Sequence, residues 1–299
     1  MIAALKKISL CLVGCGLLST AYGSKSQATP FSDQPGLAVE AVLRGISVCD
    51  ATALWQSLPV SYQADINELA QLMGHQLDAD IYAQIVALIG QLGSLIQQQQ
   101  HFIFGSEKLA ASIQNTSALK SSIPAFVGII ELFVDSSFGS VDRLKQFQGQ
   151  SFFATTISGV ICHAQGFSDW IKLPDFTVAS LSQAQVTVVS QDATHAELEL
   201  KLAGQTADFL QLVKVEGRWV LLEVAEQWAA KMAELQVKFA VSAAESIALQ
   251  KPQLMGLLAM LDGVLAQLAA AETQQQFDQA VRGAMMPLLG LMMLGQQWQ

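Results

Sequence analysis

Residues 196–222 read AELELKLAGQTADFLQLVKVEGRWVLL, and this stretch decides the fold class. Leu198, Leu200 and Leu202 alternate with Glu197, Glu199 and Lys201, the period of two that a strand shows when one face is dry and the other wet. Phe209 to Val215 and Trp219 to Leu222 read as two more strands. Glu216-Gly217 between them is a two-residue hairpin turn in which glycine supplies a positive φ. Upstream, Gln185 to Val189 (QVTVV) is rich in β-branched residues and makes a fourth strand. Short connections join all four, so the spacing predicts an antiparallel meander with one face in need of a cover.

Outward in both directions the period lengthens to that of a helix. Glu223 to Ala248, rich in Ala, Leu, Lys and Glu, is the strongest helix signal and supplies the cover. Pro252 starts another helix, Leu254 to Ala271. Phe277 to Met286 with Leu288 to Leu294 makes a last one, kinked near Pro287. Before the meander, Pro35 stands at a helix start, with Leu37, Val39, Val42, Leu43 and Ile46 as its apolar face. Asp50 is an N-cap for Ala51 to Leu58, which Pro59 ends. Tyr62, Ile66, Leu69, Leu72 and Met73 mark an amphipathic helix. Asp78 or Asp80 opens the next, whose stripe is Ile81, Ile85, Leu88, Ile89, Leu92, Leu95 and Ile96. Gln97 to Gln100 close it on the solvent side. Ser121-Ser122-Ile123-Pro124 starts a helix to Phe133, and Ser140 to Phe147 and Phe152 to Phe167 follow, the last carrying Cys162. The expected class is therefore α+β and mostly helical: an N-terminal helical bundle over 36–174, then a four-stranded antiparallel meander covered by C-terminal helices over 175–299.

The first 23 residues carry a destination. Lys6 and Lys7 precede an apolar run, Ile8 to Ala21, and Ala21-Tyr22-Gly23 has the small-x-small form a signal peptidase accepts. Together these read as a secretory signal peptide over 1–23, and the roughly 14-residue run is short of the roughly 20 that span a bilayer. A polar, breaker-rich linker over 24–35 follows. Leu12-Val13-Gly14-Cys15 resembles the lipobox of bacterial lipoproteins, so lipidation at Cys15 is a competing outcome. Either way the chain is expected in the bacterial envelope, as a soluble periplasmic protein or one anchored through Cys15, with no transmembrane span after processing.

Composition narrows the partners. The chain is 52 % hydrophobic and only 14 % charged, with a formal net charge of -9. Removing Lys6 and Lys7 takes that to about -11, and an acidic body without a Lys/Arg cluster cannot neutralise phosphates, which argues against nucleic acid. Without the leader two cysteines remain, Cys49 and Cys162, an even pair that in an oxidising compartment reads as a disulfide. Two separate buried thiols are the bland alternative.

The hairpin Leu212-Val213-Lys214-Val215-Glu216-Gly217-Arg218-Trp219-Val220 resembles the terminal hairpin of NTF2-like and lumazine-binding-like exported bacterial proteins of unknown function. There a K-V-(D/E)-G-(K/R)-W turn joins the last two strands of a curved sheet. The resemblance spans residues 183–228 and implies a sheet; it carries over no catalytic residue, and the long flanking helices depart from the pattern.

No motif identifies a reaction, a cofactor or a metal. His75, His101, His163 and His195 lie in four separate segments, without the H-E-x-x-H spacing of a zinc helix, and C-x-x-C is absent. Cys162 and His163 are adjacent on a helix, about 100° apart, and cannot address one atom together. Glu131 and Asp135 share a helix face, where like charges mainly repel at a solvated edge. Asp262 interrupts an apolar helix and Arg282 another, which suggests a buried ion pair between antiparallel helices. Ala284 to Leu294 (AMMPLLGLMML) carries four methionines, an adaptable apolar surface. The leading functional expectation is an exported binding or accessory module with an envelope protein as partner. The alternative is a periplasmic carrier of a lipid or other hydrophobic ligand.

Overall fold

The leucines of the alternating strand go where their period sends them. In the computed structural model, which describes residues 32–106, 116–167, 178–202, 205–241 and 244–283, Leu198 and Leu200 are fully buried and Leu202 is 1 % exposed. The expected leader, Cys15 and Ala284 to Leu294 lie outside the described residues. Four strands, β1 (Gln185–Gln191), β2 (His195–Lys201), β3 (Asp208–Val215) and β4 (Arg218–Leu221), form one antiparallel sheet in sequence order. Leu198 pairs with Val188 and Leu210, and Val213 with Val220. Glu216 (φ 50°) and Gly217 (φ 77°) both take positive φ, the geometry that matches the twist of a two-residue hairpin. A register shift between Val188 and Ser190 bulges the outer strand β1.

Among the described residues, α-helices lie around the sheet in chain order: α1 (Pro35–Ser47), α2 (Thr52–Ser57), α3 (Val60–Gln76), α4 (Ala79–Gln98), α5 (Gln100–Gly105), α6 (Thr116–Asp135), α7 (Val141–Leu144), α8 (Gly149–Phe152), α9 (Ser158–Ala164), α10 (Val178–Leu181), α11 (Leu222–Val241) and α12 (Ala244–Ala269). A π turn over Phe153–Ile157 joins α8 to α9, and residues 274–283 form a further helix, α13.

The leucine face of the meander is covered, and the opposite face is covered at its β3–β4 end. α11 leaves β4 directly and packs Val224, Trp228 and Met232 with Val220 against Tyr62 and Leu69 of α3. Tyr62 stacks on Trp228 at 4.0 Å, and the Trp228 indole N–H donates to Asp65 Oδ2 at 2.7 Å. The leucine face, however, meets α1: Ala38 and Leu43 join Leu198, Leu200, Leu210, Leu212 and Trp219 in one core, with Leu181 of α10. Trp219 and Val220 are neighbours in β4 and point to opposite faces, so one strand end asks for two covers. The helical region and the meander region therefore share cores.

The third core is aromatic. Trp55, Phe138, Phe147, Phe152 and Phe153 cluster with Leu144 and Ile157, and the ring pairs Phe138–Phe147 and Phe147–Phe152 stand 5.7 and 5.2 Å apart. The Tyr82 hydroxyl donates to the Phe138 carbonyl at 2.5 Å, and burial pushes its pKa up to about 12.

Two helix starts expected at prolines lie elsewhere, and the helix expected from Phe277 begins at 274. Pro124 lies inside α6 rather than at its start, and Pro252 lies inside α12. Each proline is exposed, so the carbonyl four residues earlier, which loses its N–H donor, can turn to water instead of breaking the helix. Gln99 also departs from expectation. It is 8 % exposed, not on the solvent side.

Candidate functional site

Among the described residues three helices are long and apolar enough to cross a membrane, by length and composition: α4, α6 and the 250–269 part of α12. They are also neighbours, with α4 packed between the other two. Their assembly into one layer has traceable causes.

At the start of α4, Asp78 is the N-cap, accepting the N–H groups of Asp80 and Ile81 at 3.1 Å each. Lys251 of α12 then donates to Asp78 Oδ2 at 2.8 Å and to Asp80 Oδ2 at 2.6 Å. The Lys251 hydrogen bond and the capped N–H of Ile81 hold the Asp78 carboxyl below the usual range, and the two carboxylates raise the Lys251 pKa. At the far end the buried Gln99 amide donates to the carbonyls of Ala269 at 2.7 Å and Ala271 at 3.3 Å. α4 and α12 thus run parallel, tied at both ends. Around the Gln99 end, Leu95, Leu268, Ala271, Phe277 and Ala280 make a small core to which α13 contributes.

α6 runs antiparallel to α4, and a glycine sets the spacing. A Cβ on Gly93 would stand 2.8 Å from Ile130 Cγ2, so only glycine allows this approach. On its other side Gly128 receives the His163 ring, which a side chain at 128 would overlap. That contact accounts for His163 as a packing group of α9.

The layer remains thinly covered. Of the hydrophobic windows of α4, α6 and α12, only 22 %, 39 % and 11 % respectively is buried. Ile85, Ile89, Leu92 and Ile96 recur at helical spacing on one face of α4; Ile85 and Leu92 are each 38 % exposed. Phe126 of α6 (40 %) and Met260 of α12 (52 %) are exposed as well. Where exposed large apolar groups on adjoining helices form a contiguous patch, they mark an interaction surface.

The anticipated Asp262–Arg282 pair does not form. Asp262 is half-buried on the α4 side of α12, where it accepts from Gln91 Nε2 at 2.7 Å, whereas Arg282 on α13 is exposed. A neutral amide therefore satisfies the isolated carboxylate. Cys49 and Cys162 are joined as a disulfide. Glu131 and Asp135 are both exposed on α6. His75 lies in the last turn of α3, and His101 packs on Phe102 at 3.7 Å. Among the described residues no group of three His, Cys, Asp or Glu side chains converges as a metal site would require.

A polar depression of about 450 Å³ opens at the β1–β2 end of the sheet, lined by Asp192, His195, Glu197 and Gln211 among others. Its residues build a turn. Asp192 Oδ1 accepts the N–H groups of Thr194 and His195 at 2.7 Å each, bonds that also hold its carboxyl below the ordinary value. The apolar layer is the stronger candidate, because the Asp192 carboxylate of the depression is spent on its own loop.

Three linchpins of the layer were invisible as such in the sequence: Lys251, Gln99 and Gly93. The Asp78-x-Asp80 start and the isolated Lys251 were the signals present, but their pairing spans more than 170 residues. No known family, no curated protein and no solved structure matches the chain.

Proposed function

We propose that the chain is an exported envelope module that works by binding, and that the apolar layer of α4, α6 and α12 is its working surface. The observation that carries this reading is the low burial of three adjoining apolar helices. Such helices need a cover, and a partner or ligand supplies it. Export is supported by the ordered charged, apolar and small-residue regions of the leader and by the disulfide, which suits an oxidising compartment. Both processing routes, cleavage near Gly23 and lipidation of Cys15, deliver the protein to the envelope.

A second reading, a carrier of a lipid or other hydrophobic ligand, draws on the same surface. The α4 face formed by Ile85, Ile89, Leu92 and Ile96 offers hydrocarbon contacts without a charge of its own. Native mass spectrometry of protein purified from envelopes separates the two. A bound protein supports the module, and a bound lipid supports the carrier. Bare monomer, unaltered by Leu92→Asp or Phe126→Asp, would defeat both.

A further inference from the structure

The two sulfurs of the Cys49–Cys162 disulfide stand in unlike surroundings. Cys162, on α9, is exposed, while Cys49, in the turn after α1, is half-buried. Cys49 has φ 62°, the left-handed region that a non-glycine residue keeps only where its surroundings hold it. Gln165 Nε2 donates to Cys49 Sγ at 3.4 Å. The turn has further anchors: Asp50 N–H donates to the Gly45 carbonyl at 2.8 Å, Ala51 N–H to Ser158 Oγ at 2.9 Å, and Ala51 is fully buried.

We propose that this disulfide is a thiol–disulfide exchange site, opened by a dithiol reductant that attacks Cys162 and expels Cys49. Exchange depends on which sulfur is reachable and on how well the other leaves. Both conditions are met asymmetrically. The reductant's thiolate forms a bond to Cys162 Sγ, the Cys49–Cys162 bond breaks, and its electron pair departs on Cys49 Sγ. The Gln165 amide already points an N–H at that sulfur and stabilises the thiolate until it takes a proton from water. The reductant's second thiol, losing its proton, then attacks the mixed disulfide and releases Cys162, which is protonated in turn. Two electrons and two protons have passed from the dithiol to the protein, and the reductant leaves as a disulfide. The fold survives, because the Ala51–Ser158 hydrogen bond and the buried Ala51 keep the turn seated. What changes is the covalent coupling of α1, which lies on the sheet, to α9, which lies on α6. The bond is a latch between the meander and the helical layer that redox chemistry can set.

The oxidised protein is treated with dithiothreitol without denaturant, quenched by alkylation and weighed, while circular dichroism follows the fold. In parallel, glutathione attack is trapped with N-ethylmaleimide and the adduct mapped. Full reduction with an unchanged spectrum is expected, with glutathione on Cys162 exceeding that on Cys49 by about tenfold or more. Reduction that begins only at denaturant concentrations that unfold the chain would overturn the site, as would an adduct shared evenly or favouring Cys49. Both readings use the unsubstituted protein. Gln165→Ala should slow reduction several-fold at unchanged unfolding midpoint, and an unchanged rate would strike Gln165 from the mechanism.

Discussion

Replacing Leu198 by alanine tests the central claim about the sheet, that its leucine face is sealed by α1 and not by the helix that follows it. Leu198 is fully buried in the core that holds Ala38 and Leu43 of α1, and Val224 of α11 belongs to a different core across the sheet. A buried Leu→Ala change loses the transfer free energy of the removed methyl groups and leaves a cavity, about 2–5 kcal/mol in total. The upper half of that range is expected, because Leu198 is fully buried in the inner strand β2, paired with the buried Leu210, where little backbone is free to close the gap. Urea unfolding followed by tryptophan fluorescence measures it. Double-mutant cycles then assign the cover. Residues sharing a core show coupling of about 0.5–3 kcal/mol, whereas separated ones add to within about 0.3–0.5 kcal/mol. Leu198→Ala should couple to Leu43→Ala and be additive with Val224→Ala, and Glu199→Ala on the wet face should change stability by less than about 0.5 kcal/mol. A Leu198→Ala cost under about 1 kcal/mol, or stronger coupling to Val224 than to Leu43, would refute the argument.

The Asp78–Asp80–Lys251 tie makes stability depend on pH at both ends. Asp78 has a lowered pKa, so its contribution is present above the ordinary value of 3.8 and fades as pH falls through the lower folded value. Lys251 has a raised pKa, so its contribution is present below 10.5 and is lost as pH rises through the higher folded value. Lys251→Met should flatten both flanks of a pH–stability profile measured by urea unfolding, and flanks as steep as the parent's would mean the tie is idle. Removing the disulfide as Cys49→Ser/Cys162→Ser should lower stability by up to about 4.7 kcal/mol on the loop-entropy estimate for a loop this long, and thermal melts should show a folded but less stable protein. A melting temperature equal to the oxidised parent's would count against that estimate. Gln99→Leu leaves the carbonyls of Ala269 and Ala271 without this donor and should cost about 1–3 kcal/mol; a neutral result by the same assay would show that another donor takes its place. N-terminal sequencing of protein from envelopes should begin at Ser24, or find a blocked, lipidated Cys15. An intact Met1 would remove export from the proposal.

Local pattern carried most of the secondary structure. The four strands, the Glu216-Gly217 hairpin and the helix capped by Asp78 follow from side-chain period and turn chemistry, which act over a few residues and are written in order along the chain. The disulfide was legible too, because with the expected leader set aside only two cysteines, Cys49 and Cys162, remained to pair. Prolines misled at 124 and 252 because a sequence shows the missing N–H but not whether the orphaned carbonyl faces water. Asp262 and Arg282 misled for a related reason: each looked isolated along its helix, and only packing shows that Gln91 reaches Asp262. Tertiary structure alone decided which helix covers which face of the meander and that α4, α6 and α12 lie side by side. Apolar stripes are interchangeable by composition, since hydrophobic burial is non-directional. What selects among them is specific geometry, here Gly93 admitting Ile130, Gln99 capping the end of α12 and Lys251 reaching back to Asp78, contacts whose partners the chain brings together only by folding.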